Sequence, residues 1–208
     1  MSTEIELKLL IAPEDARRLL RHPLIAALTR QQFSPQRLLS IYYDTADYVL
    51  HTQRIALRLR RVGRRWIQTV KTEGRVSAGL HERPEWECET TQGTFVFHAI
   101  ADPTLRELFA DTHLQHALHP VFVTEFSRTR RMLELPSGDV VECSLDRGEI
   151  RAGEDRLPIC EVELELKSGD PTRLSDLALR LQETLSLKPE NVSKAERGYR
   201  LVCSRISP

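Results

Sequence analysis

The sequence predicts an α+β protein in which eight antiparallel strands close into a barrel, with a charged lumen inside and helices packed outside. Three observations carry this expectation. Eight segments alternate with a period of two, the period at which successive side chains of a strand face opposite ways. What alternates is charge against apolar side chains, in blocks of one sign on several strands. Two helical segments also carry apolar stripes that need cover, and if they cover the apolar faces of the strands, the charged faces point inward.

The first strand is 3–11 (TEIELKLLI), with Glu4, Glu6 and Lys8 opposite Ile5, Leu7 and Leu9. A helix over 13–29 follows: Pro13 suits its first turn, Ala16, Leu19, Leu20, Leu24, Ala27 and Leu28 form its stripe, and Pro23 kinks or splits it. Strands are expected at 37–45, 54–62, 65–72 and 80–89, with Gly63 and Gly74 placed for hairpin turns. Asp102-Pro103 reads as an N-cap with proline at the first helical position, opening a helix to about Ala110. Strands resume at 121–135, 139–146 and 158–167. A helix from Asp170 carries Leu174, Leu177, Ala178, Leu181 and Leu185 and stops at Lys188-Pro189, and Ser193 caps a last helix to about Arg205. No repeat, low-complexity tract or linker divides the 208 residues, so a single domain over 1–208 is expected.

Composition narrows the class of partner. Lys plus Arg is 30 and Asp plus Glu is 30, which lacks the basic excess of a nucleic-acid-binding surface. No apolar run approaches the roughly 18 residues of a membrane span. Glu4, Glu6 and Lys8 would interrupt a signal-peptide core. Cys88, Cys143, Cys160 and Cys203 form no C-x-x-C pair, which argues against a disulfide scaffold or a thiolate zinc site. A soluble cytoplasmic protein is expected, monomeric or homodimeric, binding neither nucleic acid nor membrane.

An antiparallel sheet with one wet face also alternates apolar and polar residues. The blocks of single sign set this chain apart. Glu161, Glu163 and Glu165 share one face, as do Arg58 with Arg60 and Arg128 with Arg130. Like charges two residues apart on a pleated face repel unless opposite charges sit between them. Strands of glutamate beside strands of arginine are suited to hold a metal and a polyanion. Tyr42 and Tyr43 cannot both face inward, and simple packing is the expectation for either.

The segment Glu4-Ile5-Glu6-Leu7-Lys8 resembles the ExExK signature of the CYTH superfamily, the triphosphate tunnel metalloenzymes. The resemblance continues through Tyr42-Tyr43-Asp44-Thr45, Leu57-Arg58-Leu59-Arg60, Thr69-Val70-Lys71 and Gly79–Glu85. It then runs through Leu145–Glu149, Cys160–Leu166 and Ser193–Tyr199, in family order over nearly the whole chain, and is nearest to the bacterial inorganic triphosphatase branch. That branch often adds a C-terminal helical histidine-rich domain, expected to be absent here.

The resemblance implies an eight-stranded tunnel and divalent-metal-dependent hydrolysis of a linear triphosphate. Mg²⁺ or Mn²⁺ prefers carboxylate oxygens, so Glu4, Glu6, Glu163 and Glu165 are the expected ligands, with Glu161 and Asp146 as further candidates. Lys8, Arg58, Arg60, Lys71, Arg128, Arg130 and Lys194 are the phosphate-binding candidates. Arg83 is expected either to bind phosphate or to pair with Glu85 and Glu87 on its own face. Glu4, Glu6, Lys8 and Lys71 are expected to carry the catalytic step. A thiamine or nucleoside triphosphatase and a class IV adenylate cyclase are alternatives on the same fold. A non-catalytic polyphosphate-binding module is the alternative of another class.

Overall fold

The computed structural model describes residues 2–204. In chain order the elements are β1 (Ser2–Ile11), α1 (Ala16–Leu20), α2 (Pro23–Leu28), β2 (Thr29–Gln32), β3 (Gln36–Asp44), α3 (Val49–Thr52), β4 (Ala56–Val62), β5 (Arg65–Lys71), β6 (Arg75–Ser77) and β7 (Leu80–Thr90). They continue with α4 (Pro103–Ala110), α5 (Thr112–Ala117), β8 (His119–Glu134), β9 (Val140–Ala152), β10 (Asp155–Ser168), α6 (Thr172–Gln182), β11 (Leu187–Pro189) and α7 (Lys194–Cys203).

Eight strands close on themselves in the order β1-β10-β9-β8-β3-β4-β5-β7, and β7 pairs back onto β1. Every pairing around the ring is antiparallel, and closure leaves none of the eight as a free edge. The three short strands β2, β6 and β11 add to β8, β7 and β1 from outside the ring. The register sets the inward rows: Glu6 lies opposite Glu165, Lys8 opposite Glu163, Glu161 opposite Asp146, Asp146 opposite Arg128, and Glu4 opposite Arg83.

Cover for the outward faces comes from the helices. Leu174, Leu177, Ala178 and Leu181 recur at helical spacing on α6 and join Leu19 and Ile25 from α1 and α2. Together they bury Leu7, Leu9, Val141, Leu145, Val162 and Leu164 of the barrel wall, each worth about 1.5–3 kcal/mol for a fully buried leucine-sized side chain. On the other side, Leu50, Leu105, Phe109 and Leu114 from α3, α4 and α5 cover Leu57, Val70 and Trp86. A third cluster lies on inward positions at one end of the barrel. There Leu38, Tyr42, Phe122, Phe126, Ile150 and Ile159 meet Tyr199 and Val202 of α7, which docks at that mouth.

Several elements differ from the pattern-based expectation. The helix expected over 13–29 is two helices, because Pro23 starts α2 and the His22 ring caps it by accepting from the Leu24 N–H at 3.2 Å. Residues 29–32 leave the helix to pair with β8. The Gly63 turn is present (φ +62), but the next turn falls at Ala78-Gly79 rather than Gly74, since β6 runs back along β7 first. Segments 139–146 and 158–167 extend into one long β9–β10 hairpin, because each supplies the other with a pairing partner that alternation alone does not reveal. The helix from Asp170 ends at Gln182, and 187–189 pairs with β1 instead. Asp102 and Ser193 cap their helices as expected, accepting from the N–H groups of Leu105 and Glu196. Arg205, the expected end of the last helix, lies outside the described residues.

Gly148 allows β8 and β9 to pair closely where Phe126 turns inward: a Cβ there would sit 2.1 Å from the Glu125 carbonyl oxygen and 2.5 Å from the Phe126 Cα. Because both obstacles belong to the neighbouring chain segment, Gly148→Ala should destabilise the protein by about 1–3 kcal/mol, the cost typical of overpacking. Urea denaturation checks this; an unchanged midpoint would show that the two strands can separate freely.

Candidate functional site

The barrel wall points its charged side chains inward from all sides. At the centre, Asp146 on β9 meets Glu161 and Glu163 on β10, and one carboxylate oxygen of each lies within 4.8 Å of the others. Asp146 and Glu161 are completely buried. Three carboxylates this close repel strongly, and four cations hold them together. Lys194 of α7 reaches Asp146 at 2.7 Å and Glu163 at 2.9 Å and also contacts Glu161. Arg128 of β8 grips Asp146 with two bonds of 2.7 and 2.6 Å and contacts Glu163. Lys8 donates to Glu163 at 2.6 Å, and Arg197 pairs with Glu161.

A second group sits where β1, β5 and β7 adjoin. Lys71 donates to both oxygens of Glu4 at 2.8 and 2.6 Å and lies 3.0 Å from Glu85. Arg83 donates to Glu4 and to Glu6, each at 3.1 Å, while Lys8 lies 2.8 Å from Glu6. Lys8 therefore links the two carboxylate groups. A third group faces them from β3 and β4. Arg58 pairs with Glu87 at 3.2 Å, and Arg60 donates to Ser40 at 2.9 Å with its guanidinium over the Phe126 ring.

These environments shift the titrating groups. Burial pushes the Glu163 carboxyl up, but Lys194, Lys8 and Arg128 outweigh it and hold the group well below the usual carboxylate range. Asp146 is held low in the same way, against burial, by Arg128 and Lys194. Burial opposes, and Lys71, Arg83 and Lys8 enforce, a strongly lowered Glu4. Lys8 and Lys194 lose some basicity to burial and regain more from their carboxylates, so both remain charged. Arg60 goes the other way: burial first, then Arg58 and Arg128 beside it, pull its guanidinium down to about 10. Among the described residues Arg60 has no carboxylate at ion-pair distance, and the buried Nε atoms of Arg58 and Arg130 make no hydrogen bond. Arg60 is thus the cation of this side without a carboxylate partner, whereas Glu85 and Glu87 compensate Arg58, and Asp146 and Glu163 compensate Arg128.

The residues expected from the sequence all face the interior. Glu4, Glu6, Lys8, Arg58, Arg60, Lys71, Arg83, Arg128, Glu163 and Lys194 line one narrow central cavity of about 50 Å³. Asp146 and Glu161 do not line it; they lie completely buried behind Lys194, which contacts both. Arg130 and Glu165 lie towards the rim, where Arg130 approaches Glu142 at 3.5 Å and Glu165 pairs with Lys167 at 2.6 Å. Arg83 pairs with Glu4 and Glu6 of β1 rather than with the expected Glu85 and Glu87. Tyr42 is the inward tyrosine of its pair: it lines the cavity and stacks on Phe122 at 4.5 Å, whereas Tyr43 meets Phe95 outside. Arg197 was legible but not singled out: it follows Lys194 by three residues, which on a helix puts both on one face. Glu85 and Glu87 stood on the charged face of β7 with Arg83 as their expected partner, but closure brings Lys71 and Arg58 to them instead.

Buried ion pairs of this density rarely add net stability, because removing so many charges from water costs as much as their attraction returns. The interior is better understood as a binding site. A closed antiparallel barrel lined by carboxylates and by opposed lysines and arginines carries charge of both signs along its interior. The chain belongs to the CYTH domain family, which matches residues 2–199. It is 36% identical over 202 residues to the inorganic triphosphatase of Haemophilus influenzae, covering 97% of this chain and 55% of that protein. The chain thus spans about half the length of that relative. Among solved structures it resembles HpAC1 of Hippeastrum, a proposed adenylyl cyclase with a dominant triphosphatase activity (TM-score 0.66, 16% identity, 95% of each chain). It also resembles a Bacillus halodurans protein described as an adenylate cyclase candidate (TM-score 0.56, 19% identity, 95% of this chain and 98% of that one). Among the described residues no helix is long and apolar enough to cross a membrane.

Two substitutions separate paired from undersatisfied cations. Lys194→Leu leaves Asp146, Glu161 and Glu163 buried with less compensation and should cost about 3–5 kcal/mol. Arg60→Gln keeps a donor for Ser40 while removing a repelled charge, so stability should hold or rise by up to about 1 kcal/mol. Thermal and urea denaturation of both variants checks the contrast; equal losses would contradict the charge map.

Proposed function

We propose that the barrel hydrolyses inorganic triphosphate to pyrophosphate and phosphate with the help of Mg²⁺ or Mn²⁺. The observation that carries this reading is the presence of both charges inside one lumen: a carboxylate cluster on β9 and β10 and, on β4, Arg60 with no carboxylate at ion-pair distance among the described residues. The inorganic triphosphatase named for the Haemophilus influenzae relative supports the choice of substrate.

The donor set has the chemistry of a hard divalent cation site, since oxygens of Asp146, Glu161 and Glu163 converge within 4.8 Å, although they now surround the Lys194 ammonium, which an ion bound among all three would displace. Glu4 and Glu6 would supplement them from β1, with Glu165 near the rim. A divalent ion bound there supplies charge neutralisation at phosphoryl oxygens and acidifies a coordinated water. The remaining work falls to the chain's own side chains. Arg58, Arg60, Arg128 and Arg130 present guanidinium forks that take two phosphate oxygens at once, and the pull-down of Arg60 is relieved when an anion arrives. Lys8 and Lys71 line the lumen beside Glu6 and Glu4, where their ammonium groups neutralise charge that accumulates on the bridging and leaving oxygens. Glu4 and Glu6 orient these two lysines, and Lys194 closes the α7 side. Substrate entry requires the cations to exchange carboxylate partners for phosphate oxygens, a swap between interactions of similar kind. A wide mouth of about 660 Å³ shares Lys71, Arg83 and Ser193 with the central cavity and provides the approach.

Phosphate release from a panel of tripolyphosphate, pyrophosphate, ATP, thiamine triphosphate and long-chain polyphosphate tests the reading, with and without Mg²⁺ or Mn²⁺. Turnover should favour tripolyphosphate and stop on chelation. Cyclic AMP and pyrophosphate from ATP would make the protein a cyclase, and tight polyphosphate binding without product would make it a binding module. Glu4→Gln and Glu163→Gln should each lower kcat by roughly 100-fold or more while the protein stays folded. Arg58→Ala should raise KM roughly tenfold and flatten its salt dependence, as loss of one charge-assisted phosphate contact would.

A further inference from the structure

Asp44, at the end of β3, is a completely buried carboxylate with no part in the proposed chemistry. It accepts four hydrogen bonds. Three come from the backbone N–H groups of Thr45 at 2.8 Å, Leu50 at 2.8 Å and His51 at 2.9 Å, and they fold the β3–α3 corner on itself. The fourth comes from the hydroxyl of Tyr199 on α7, at 2.9 Å. A carboxylate with its acceptor sites filled in this way is an anchor, not a base.

Everything around Tyr199 serves the same contact. The His51 ring stacks on it at 4.0 Å, and Phe122 meets it edge-on at 5.2 Å. The neighbouring Gly198 lets the helix approach β8, since a Cβ there would sit 2.2 Å from the Phe122 ring. Lys194 precedes Gly198 by four residues, which places it on the same face one turn earlier, with its ammonium 5.0 Å from the centre of Phe126. The corner that holds Tyr199 therefore sets the depth and rotation at which Lys194 and Arg197 enter the lumen.

We propose that Asp44 and Tyr199 are positioning residues for the triphosphate site: their bond fixes α7 so that Lys194 reaches Asp146, Glu161 and Glu163 together while Arg197 reaches Glu161. The inference rests on the triphosphatase reading and deepens it. One ammonium serves three carboxylates here only within hydrogen-bonding reach, so a displacement of α7 by about 1 Å would forfeit at least one of them. A purely structural anchor would instead lower stability without regard to Lys194.

A double-mutant cycle separates the two. Wild type, Tyr199→Phe, Lys194→Ala and the double variant are compared for tripolyphosphate affinity by calorimetry in Mg²⁺, and for kcat and KM. Phenylalanine keeps the ring contacts and removes only the hydroxyl. Tyr199→Phe is expected to weaken tripolyphosphate binding roughly tenfold in the Lys194 protein, the scale of one hydrogen bond to a charged group, and by less than about twofold in the Lys194→Ala protein. A full additional tenfold loss on the Lys194→Ala background overturns the proposal, and so does a Tyr199→Phe protein that binds like wild type. If Tyr199→Phe does not fold by circular dichroism, Asp44→Asn enters the same cycle and is read by the same criterion. A wild-type protein that neither binds nor cleaves a linear triphosphate overturns the functional reading itself, an outcome distinct from loss of coupling.

Discussion

Charges taken out of water inside a closed barrel must find each other across the lumen, and this requirement organises the rest of the structure. Lys8, Asp146, Glu161, Glu163 and Lys194 are all buried, and an unpaired charge at any of these positions would cost several kcal/mol. Single-sign blocks along a strand are therefore tolerable only if the strand order brings opposite signs together. Closure does this: β10 lies between β1 and β9, Arg128 on β8 reaches over Asp146 to Glu163, and Lys8 bridges glutamates of β1 and β10. The outward helices follow from the same constraint, because a barrel with its polar face inside must cover its apolar face from without.

The pairing is dense but uneven, and the unevenness is where binding is to be sought. Asp146 and Glu161 are surrounded by cations, whereas Arg60 faces Arg58 and Arg128 with only a hydroxyl and an aromatic ring as partners. A site poised for two ligands of opposite charge has this form. The fold alone would not justify a function, since one architecture can carry many chemistries. The particular carboxylates and arginines on its inner wall are what narrow the choice.

The helix α7 stands apart from the others because it contributes side chains to the interior rather than a lid over the outside. Its N-terminal turn supplies Lys194, and its later turns supply the apolar contacts that hold it at the mouth. Precision in the lumen thus depends on packing some distance from the charges, at the corner formed by Asp44, His51 and Tyr199.

Alternation by itself determined the strand character of β1 and β10, where charge and hydrophobicity alternate over long runs, and of residues 57–60 in β4, and it assigned Glu4, Lys8, Arg58 and Glu163 to the charged face. Local chemistry likewise marked Pro23, Asp102 and Ser193 as helix boundaries, since proline geometry and capping act within a few residues. Only the tertiary structure decided the lengths of β9 and β10, the strand β11 after α6, and the pairing of Glu85 with Lys71, because each depends on a partner distant in sequence. It also decided that, among the described residues, Asp146 and Glu161, rather than Glu4, Glu6 and Glu165, converge with Glu163 into one carboxylate group. Spacing along a strand fixes which face a side chain takes, whereas distance across a lumen is fixed by closure, shear and the depth at which α7 is held.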